Sequence, residues 1–101
     1  MSLDHKIFQK FDLDAVEFKK RLDSGIKLPE SPGKMLREKL IGQGYDVLIS
    51  NENHYGVPRS IILGINIAET DKGMRLKIDF YRIAEELRIP FSSGEAYIPT
   101  A

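Results

Sequence analysis

The sequence predicts an α+β domain: two N-terminal helices, a three-stranded antiparallel meander and a C-terminal helix, packed as a two-layer sandwich. Two amphipathic helical patterns, three later strand patterns and a last helical pattern that ends at Pro90 support this prediction. With 101 residues, of which 42% are hydrophobic, the chain has the size of one domain and can form a core. We therefore expect a single domain over residues 1–101.

The first predicted helix spans residues 14–24. Asp14 and Glu17 have the spacing of a capping box, with Asp in the place of Ser or Thr. Apolar side chains follow on one face, and basic residues fall in the last turn, where they suit the helix dipole. Ahead of this helix, Ile7 and Phe11 are four residues apart, which predicts a short helical turn that docks on the core.

The second predicted helix follows a loop rich in proline and glycine. Ser31 suits the N-cap of this helix and Pro32 suits its first position. The helical pattern runs to Gly42 or Gly44, because glycine favours a helix stop.

Three strand patterns come next. Residues 45–50 alternate, with the odd-numbered side chains on one face. Residues 60–68 form the longest apolar run and are rich in isoleucine, which predicts the buried central strand. Gly64 in this run has no side chain to pack, which predicts a bulge or a closely crossing helix. Residues 71–73 then predict a hairpin turn.

Residues 74–80 alternate strictly and predict the third strand, half-buried and antiparallel. We expect Leu76 and Ile78 to be buried on its apolar face. Arg75 and Lys77, on the other face, are expected to be exposed.

The last predicted helix spans residues 81–89 and ends at Pro90, which cannot continue it. The tail beyond predicts either a short strand at Tyr97–Ile98 or no regular structure. A three-stranded sheet has two edges, and an edge left bare invites pairing with another chain.

Composition argues against several functions. Fifteen basic and fifteen acidic side chains cancel, so no overall field attracts nucleic acid or anionic lipid. The absence of cysteine excludes thiolate chemistry and fits a reducing, cytoplasmic location. Neither a His-Glu-x-x-His spacing nor a Gly-x-Ser-x-Gly elbow is present. We expect no catalytic residue, metal or cofactor, and no membrane span, because no apolar run is long enough.

Three short segments follow one another in the order of a known catalytic core. Residues 42–47 join a glycine-ended helix to a strand, and residues 56–59 form a Gly-x-Pro turn before the next strand. Residues 78–81 follow on the third predicted strand. This order resembles the PD-(D/E)xK nuclease-like fold, in which two acids bind Mg²⁺ and a lysine supports the attacking water.

The resemblance is one of pattern, because two of the three chemical positions differ. Arg59 occupies the position where the family has its metal-binding Asp, and Tyr81 occupies the position of the Lys. Asp79 retains an acidic side chain at the third position. The resemblance implies a domain without nuclease chemistry, in which Arg59 forms a salt bridge with Asp79 across neighbouring strands. Asp46 is the one acid expected to approach Asp79, provided that both face the same side.

A second candidate surface combines a loop with the third predicted strand. His54 and Tyr55 lie in an amide-rich loop, and Arg75 and Lys77 are expected together on a polar strand face. Cations beside an exposed aromatic ring can bind single-stranded nucleic acid by stacking and phosphate contacts.

We interpret the chain as a non-enzymatic cytoplasmic interaction or regulatory domain that binds a protein partner or a second copy of itself, as a homodimer. The alternative is a nucleic-acid-associated domain with a degenerate PD-(D/E)xK nuclease-like core. The candidate binding residues are His54, Tyr55, Arg59, Arg75, Lys77 and Asp79.

Overall fold

The computed structural model describes the backbone of residues 6–97 and the side chains of residues 6–93. Four strands and three helices make up this part of the chain. In chain order they are β1 (Lys6–Leu13), α1 (Ala15–Asp23), α2 (Pro32–Gly42), β2 (Asp46–Ile49), β3 (Ser60–Asn66), α3 (Thr70–Glu86) and β4 (Phe91–Tyr97). None of these helices is both long enough and apolar enough to cross a bilayer.

The four strands form one open sheet in the order β2-β3-β1-β4, and every neighbouring pair is antiparallel. The α+β class is therefore confirmed, but the element order differs from the predicted one. With its strands and helices alternating as β-α-α-β-β-α-β, the chain has the ferredoxin-like arrangement, here with two helices in the first crossover.

One face of the sheet carries the core. Phe11 of β1 pairs with Ile61 of β3, and both are completely buried. The ring of Phe80 on α3 stacks on Phe11, with 3.8 Å between the ring centroids. Leu36 and Leu40 of α2 are buried in the same cluster. The helices thus form the second layer, while the opposite sheet face has no helix over it among the described residues.

Helices α1 and α2 agree with the predictions. Asp14 caps α1, and its Oδ1 accepts a hydrogen bond from the Glu17 N–H at 3.0 Å. Ser31 stands at the predicted N-cap of α2, but it has φ +50° and its side chain makes no capping hydrogen bond. Gly44 ends α2 with φ +93°, and the next N–H, of Tyr45, donates to the Leu40 carbonyl, as in a Schellman motif.

The prediction of a helical turn near residues 7–11 was wrong, because these residues lie in β1 at the centre of the sheet. Ile7 and Phe11 share a strand face as readily as a helix face, since a spacing of four satisfies both periods. The tail supplies β4, which pairs with β1 and is longer than the short strand expected near Tyr97. Ile98 lies outside the described residues.

The prediction of a third strand at residues 74–80 was also wrong, as was the hairpin turn before it. Both segments belong to α3, whose buried side chains Leu76, Phe80, Ile83 and Ala84 follow the helical spacing. The alternating run at residues 74–80 contains Leu76 and Phe80, which are four residues apart and so also share one face of a helix. Beyond this run the apolar pattern fits only a helix. Leu76 is buried as expected, but Ile78 is 67% exposed.

Gly64 lies opposite Phe8 in the β1–β3 ladder, and the ring of Phe8 covers it. A Cβ at position 64 would lie 2.6 Å from this ring. The close approach expected at Gly64 therefore comes from a neighbouring strand, and the expectation of a crossing helix was wrong.

Candidate functional site

An opening with a largely apolar lining lies between the first turns of α3 and the ends of β1 and β3. We call it the α3 groove, and its volume is about 560 Å³. It forms because α3 begins only four residues after β3 ends and turns back over the sheet. The approach is close: a Cβ on Gly73 would lie 3.0 Å from the Ile65 Cδ1. Its apolar lining is Ile7, Ile65, Ile67, Met74 and Leu76.

The rim of the α3 groove exposes large apolar side chains. Met74 is 79% exposed and Ile67 is 47% exposed. Ile78 is exposed as well and lies one helical turn after Met74 on the same side of α3. Large apolar side chains exposed beside a groove are typical of an interaction site. Lys77, a predicted binding residue, also lines the groove.

A polar cluster joins α3 to the start of β2. The hydroxyl of the buried Tyr45 donates a hydrogen bond of 2.7 Å to Asp79 Oδ2. Arg82 forms an ion pair of 3.5 Å with the other oxygen of Asp79. Burial, and then the Asp79 carboxylate, raise the pKa of the Tyr45 hydroxyl far above its ordinary value, so this group stays protonated. Asp79 is thus occupied in holding α3 against β2.

The predicted salt bridge between Arg59 and Asp79 was wrong, since Asp79 lies on a helix and not on a neighbouring strand. Arg59 is exposed just before β3, and its backbone joins two segments. Its N–H donates to the Asn51 carbonyl at 3.2 Å, and its carbonyl accepts from the Leu13 N–H at 2.9 Å.

Asp46 was expected to approach Asp79 only if both faced the same side, and the sheet separates the two acids. Asp46 forms an ion pair with Lys6 on the face over which no helix of residues 6–97 lies. Asp79 belongs to the helical layer on the other face. Within the described part of the chain, no group of three or more acidic or histidine side chains could hold a metal ion.

The predicted stacking surface is not brought together. Tyr55 packs edge-on against Phe18 of α1, with 5.7 Å between the ring centroids. The ring centroid of His54 lies 4.0 Å from that of Tyr55. Arg75 and Lys77 are exposed near the start of α3. The loop precedes β3 and α3 follows its other end, so about 20 Å of strand separates the two sites.

The open face of the sheet was not among the predicted sites. Phe8 lies on the central strand β1, and the same face carries Ile62 on the neighbouring strand β3 and the exposed Leu48 on β2 beyond it. Lysines on this face are ion-paired: Lys6 with Asp46, and Lys10 with Asp12 at 3.7 Å. Polar residues on either side of Phe8 are the sequence signal for this open face. The signal can be interpreted only once β1 is recognised as a strand.

Comparison with protein-family models, with curated proteins and with solved structures found no match to this chain. The fold alone does not assign a function either, since one arrangement of elements carries many activities. The functional conclusions therefore rest on the surfaces described above.

Proposed function

We propose that this chain is a non-enzymatic protein-interaction domain of the cytoplasm that binds a partner protein through the α3 groove. The observation that carries the proposal is the exposure of Met74 and Ile67 at the rim of an apolar opening. Burying these side chains against a partner would remove apolar surface from water and stabilise the complex. The absence of cysteine supports a cytoplasmic location.

The polar groups near the groove support recognition of an apolar anchor and not of a strongly charged ligand. Lys77 and Glu69 both line the opening, so positive and negative charge are present together. Glu69 also forms an ion pair of 3.4 Å with Lys72. The partner expected from this chemistry presents one or two large aliphatic or aromatic side chains, as interaction hot spots commonly do.

Selection of a displayed random-peptide library against the folded chain tests the proposal. Selected peptides should carry a large apolar residue, and their affinity should fall about tenfold when a charge replaces the anchor in Met74→Lys. Val16→Lys is the matched control, because Val16 is 70% exposed on α1, away from the groove. If no peptide is enriched, or if the selected peptides bind the Met74→Lys variant equally well, the proposal is wrong.

A nucleic-acid-binding role is the second candidate, and the open sheet face is the observation that favours it. An aromatic ring on the central strand, here Phe8 between Lys6 and Lys10, can stack on a base while cations contact phosphate. The ion pairs of both lysines and the zero net charge make it the weaker candidate.

Titration of labelled single-stranded DNA and RNA across a salt series decides this second candidate. Binding that weakens steeply with salt and is lost in Phe8→Ala would support it. Absence of binding at low salt would remove it and leave the protein-interaction role.

A further inference from the structure

The outer edge of β2 is an apolar surface distinct from the α3 groove. β2 is the last strand of the sheet on one side, so β3 is its only strand neighbour among the described residues. Leu48 is 58% exposed on the open face, and Ile41 of α2 is 45% exposed beside the strand. A cavity of about 500 Å³ runs along this edge and is lined in part by Arg37, Ile41, Val47 and Leu48.

The hydrogen bonds around β2 show which backbone groups point outward. The Ser50 N–H donates to the Ser60 carbonyl of the β3 segment at 3.1 Å. In an antiparallel ladder successive residues direct their N–H and C=O groups to alternate sides. Leu48 therefore faces β3 with its backbone, while Val47 and Ile49 direct their backbone groups away from the sheet. The next outward group, the Tyr45 N–H, indeed donates away from β3, to the Leu40 carbonyl of α2.

This outward edge is complementary to itself. When two copies of β2 run antiparallel with Leu48 opposite Leu48, Val47 of each copy lies opposite Ile49 of the other. These two residue pairs are then the ones that exchange hydrogen bonds, because their backbone groups point outward. Opposed residues also share a face, so Leu48 meets Leu48 on the open face, and half-buried Val47 meets Ile49 on the helical face.

Charge does not oppose this pairing. In the same register Asp46 of one copy lies opposite Ser50 of the other, so no like charges meet. Asp46 is also neutralised by Lys6 of its own chain. In this register a two-fold axis through the Leu48 pair relates the two strands. This is the symmetry of an isologous dimer.

The other edge of the sheet differs. The β1–β4 ladder contains a register shift between Gln9 and Phe11, and a bulge of this kind disfavours further pairing at an edge. Ser92 and Ser93 of β4 are small and polar, in contrast to Val47, Leu48 and Ile49.

We propose that two copies of this chain associate through their β2 edges and form one sheet that is continuous across the dimer. The occupant of the β2 edge is thus a second copy of the same strand. This surface lies apart from the α3 groove, so the inference does not rest on the proposed partner binding.

A cysteine substitution tests the register directly, because the chain has no cysteine of its own. In the proposed dimer the two Leu48 residues form a non-hydrogen-bonded pair with Cα atoms about 4.5 Å apart, which is within the range that a disulfide spans. Mild oxidation of Leu48→Cys should therefore give a disulfide-linked dimer rapidly. Val16→Cys, at a position on α1 that is 70% exposed against 58% for Leu48, is the control and should cross-link only slowly.

Sedimentation equilibrium over a concentration series gives the second measurement. The mass should rise from 11.5 kDa toward twice that value. Leu48→Lys should weaken the dimer by about tenfold, since two like charges then meet at the axis and an apolar contact is lost. Met74→Lys, in the α3 groove, should leave the dimer unchanged.

Four results would overturn the inference. The first is a mass that stays at that of one chain at all concentrations. The second is cross-linking of Leu48→Cys no faster than that of Val16→Cys. The third is a dimer lost in Met74→Lys but retained in Leu48→Lys, which would assign self-association to the α3 groove. The fourth is a peptide that protects the Val47 and Ile49 amides from hydrogen exchange while the chain stays monomeric, which would assign the edge to another partner.

Discussion

Helix α3 carries two apolar surfaces that differ in their position over the sheet. Ile83 is 2% exposed and packs in the core, whereas Ile78, five residues earlier on the same helix, is 67% exposed. Met74 shares the outer surface with Ile78. Two isoleucines of one helix thus differ in burial, because the rotation of α3 relative to the sheet decides which side chains are removed from water.

The difference separates residues that stabilise the fold from residues available for binding. A side chain on the buried stripe contributes by removing apolar area from water and by filling the core. An exposed isoleucine or methionine contributes little in this way, so the fold does not account for its apolar character. The outer surface of α3 is therefore apolar area that the fold itself leaves in contact with water.

The largest effect is expected at the buried end of this comparison. Ile83→Ala should lower the free energy of unfolding by about 2–5 kcal/mol, because it removes buried methyl groups and leaves a cavity. Urea unfolding followed by circular dichroism measures it, with Ile78→Ala as the matched control on the same helix. A loss below about 1 kcal/mol at position 83 would mean that the buried stripe of α3 is wrongly placed.

A pair of glycines in α2 extends the comparison to backbone packing. A Cβ on Gly33 would lie 2.7 Å from the Gly56 carbonyl oxygen and 2.5 Å from Glu52 Oε2, so the loop would have to move. Gly33→Ala should cost about 1–3 kcal/mol for this reason. A Cβ on Gly42, in the last turn of the same helix, would meet no neighbouring atom of the described residues within 4 Å. Gly42→Ala should therefore be neutral or stabilising by up to about 1 kcal/mol. Equal stability of the two variants in urea unfolding would contradict the close packing of α2 on the loop.

The Tyr45 hydroxyl tests the boundary between the exposed and the buried surface of α3, because its partner Asp79 lies between Ile78 and Phe80. Tyr45→Phe removes the hydrogen bond to a charged group and should cost about 1.5–3 kcal/mol at neutral pH. The pKa of Tyr45 is raised in the folded chain above its ordinary value of 10.0, so the folded state holds this proton more tightly than the unfolded state. Its stabilising contribution is complete below pH 10.0 and falls as the pH rises above that value.

Unfolding measured in urea between neutral pH and strongly alkaline pH tests this dependence. The wild-type chain should lose stability above pH 10.0 more steeply than Tyr45→Phe, which lacks the titrating group. Parallel curves for the two proteins would show that neither burial nor the Asp79 carboxylate raises the pKa of the Tyr45 hydroxyl.

The smallest effect is expected at the exposed end. Ile78→Ala should change the free energy of unfolding by no more than about 0.5 kcal/mol, as is usual for a surface position. The same urea experiment measures it. A loss of about 2 kcal/mol or more would instead support the strand predicted from the alternating pattern, in which Ile78 is a core residue.

Local signals were sufficient for about half of the elements. The capping residue Asp14 and the terminal glycine Gly44 mark α1 and α2, because caps act within a few residues. The isoleucine-rich run at residues 60–68 predicts the strand found as β3 at Ser60–Asn66, since a strand buried on the inside of a sheet needs no alternation. The faces of β2 follow from its alternation for the same local reason.

The candidate sites were harder to predict, because each depends on elements that were misassigned. Lys77 was predicted to bind, and it lines the α3 groove, but its neighbour Ile78 was expected in the core. Phe8 was assigned to a helical turn, so the open sheet face was not anticipated. Asp79 was expected beside Arg59, and it forms its contacts with Tyr45 and Arg82 instead.

The sequence by itself determined the α+β class, the two helices of the first crossover and the strands at residues 46–49 and 60–66, because caps, glycine stops and β-branched runs act locally. Only the tertiary structure decided that residues 6–13 form a central strand and that residues 70–86 form one helix. Each of these segments has a spacing that suits both periods. The choice depends on contacts that are distant in sequence: β1 requires β3 and β4 as neighbours, and α3 requires the sheet under its buried stripe.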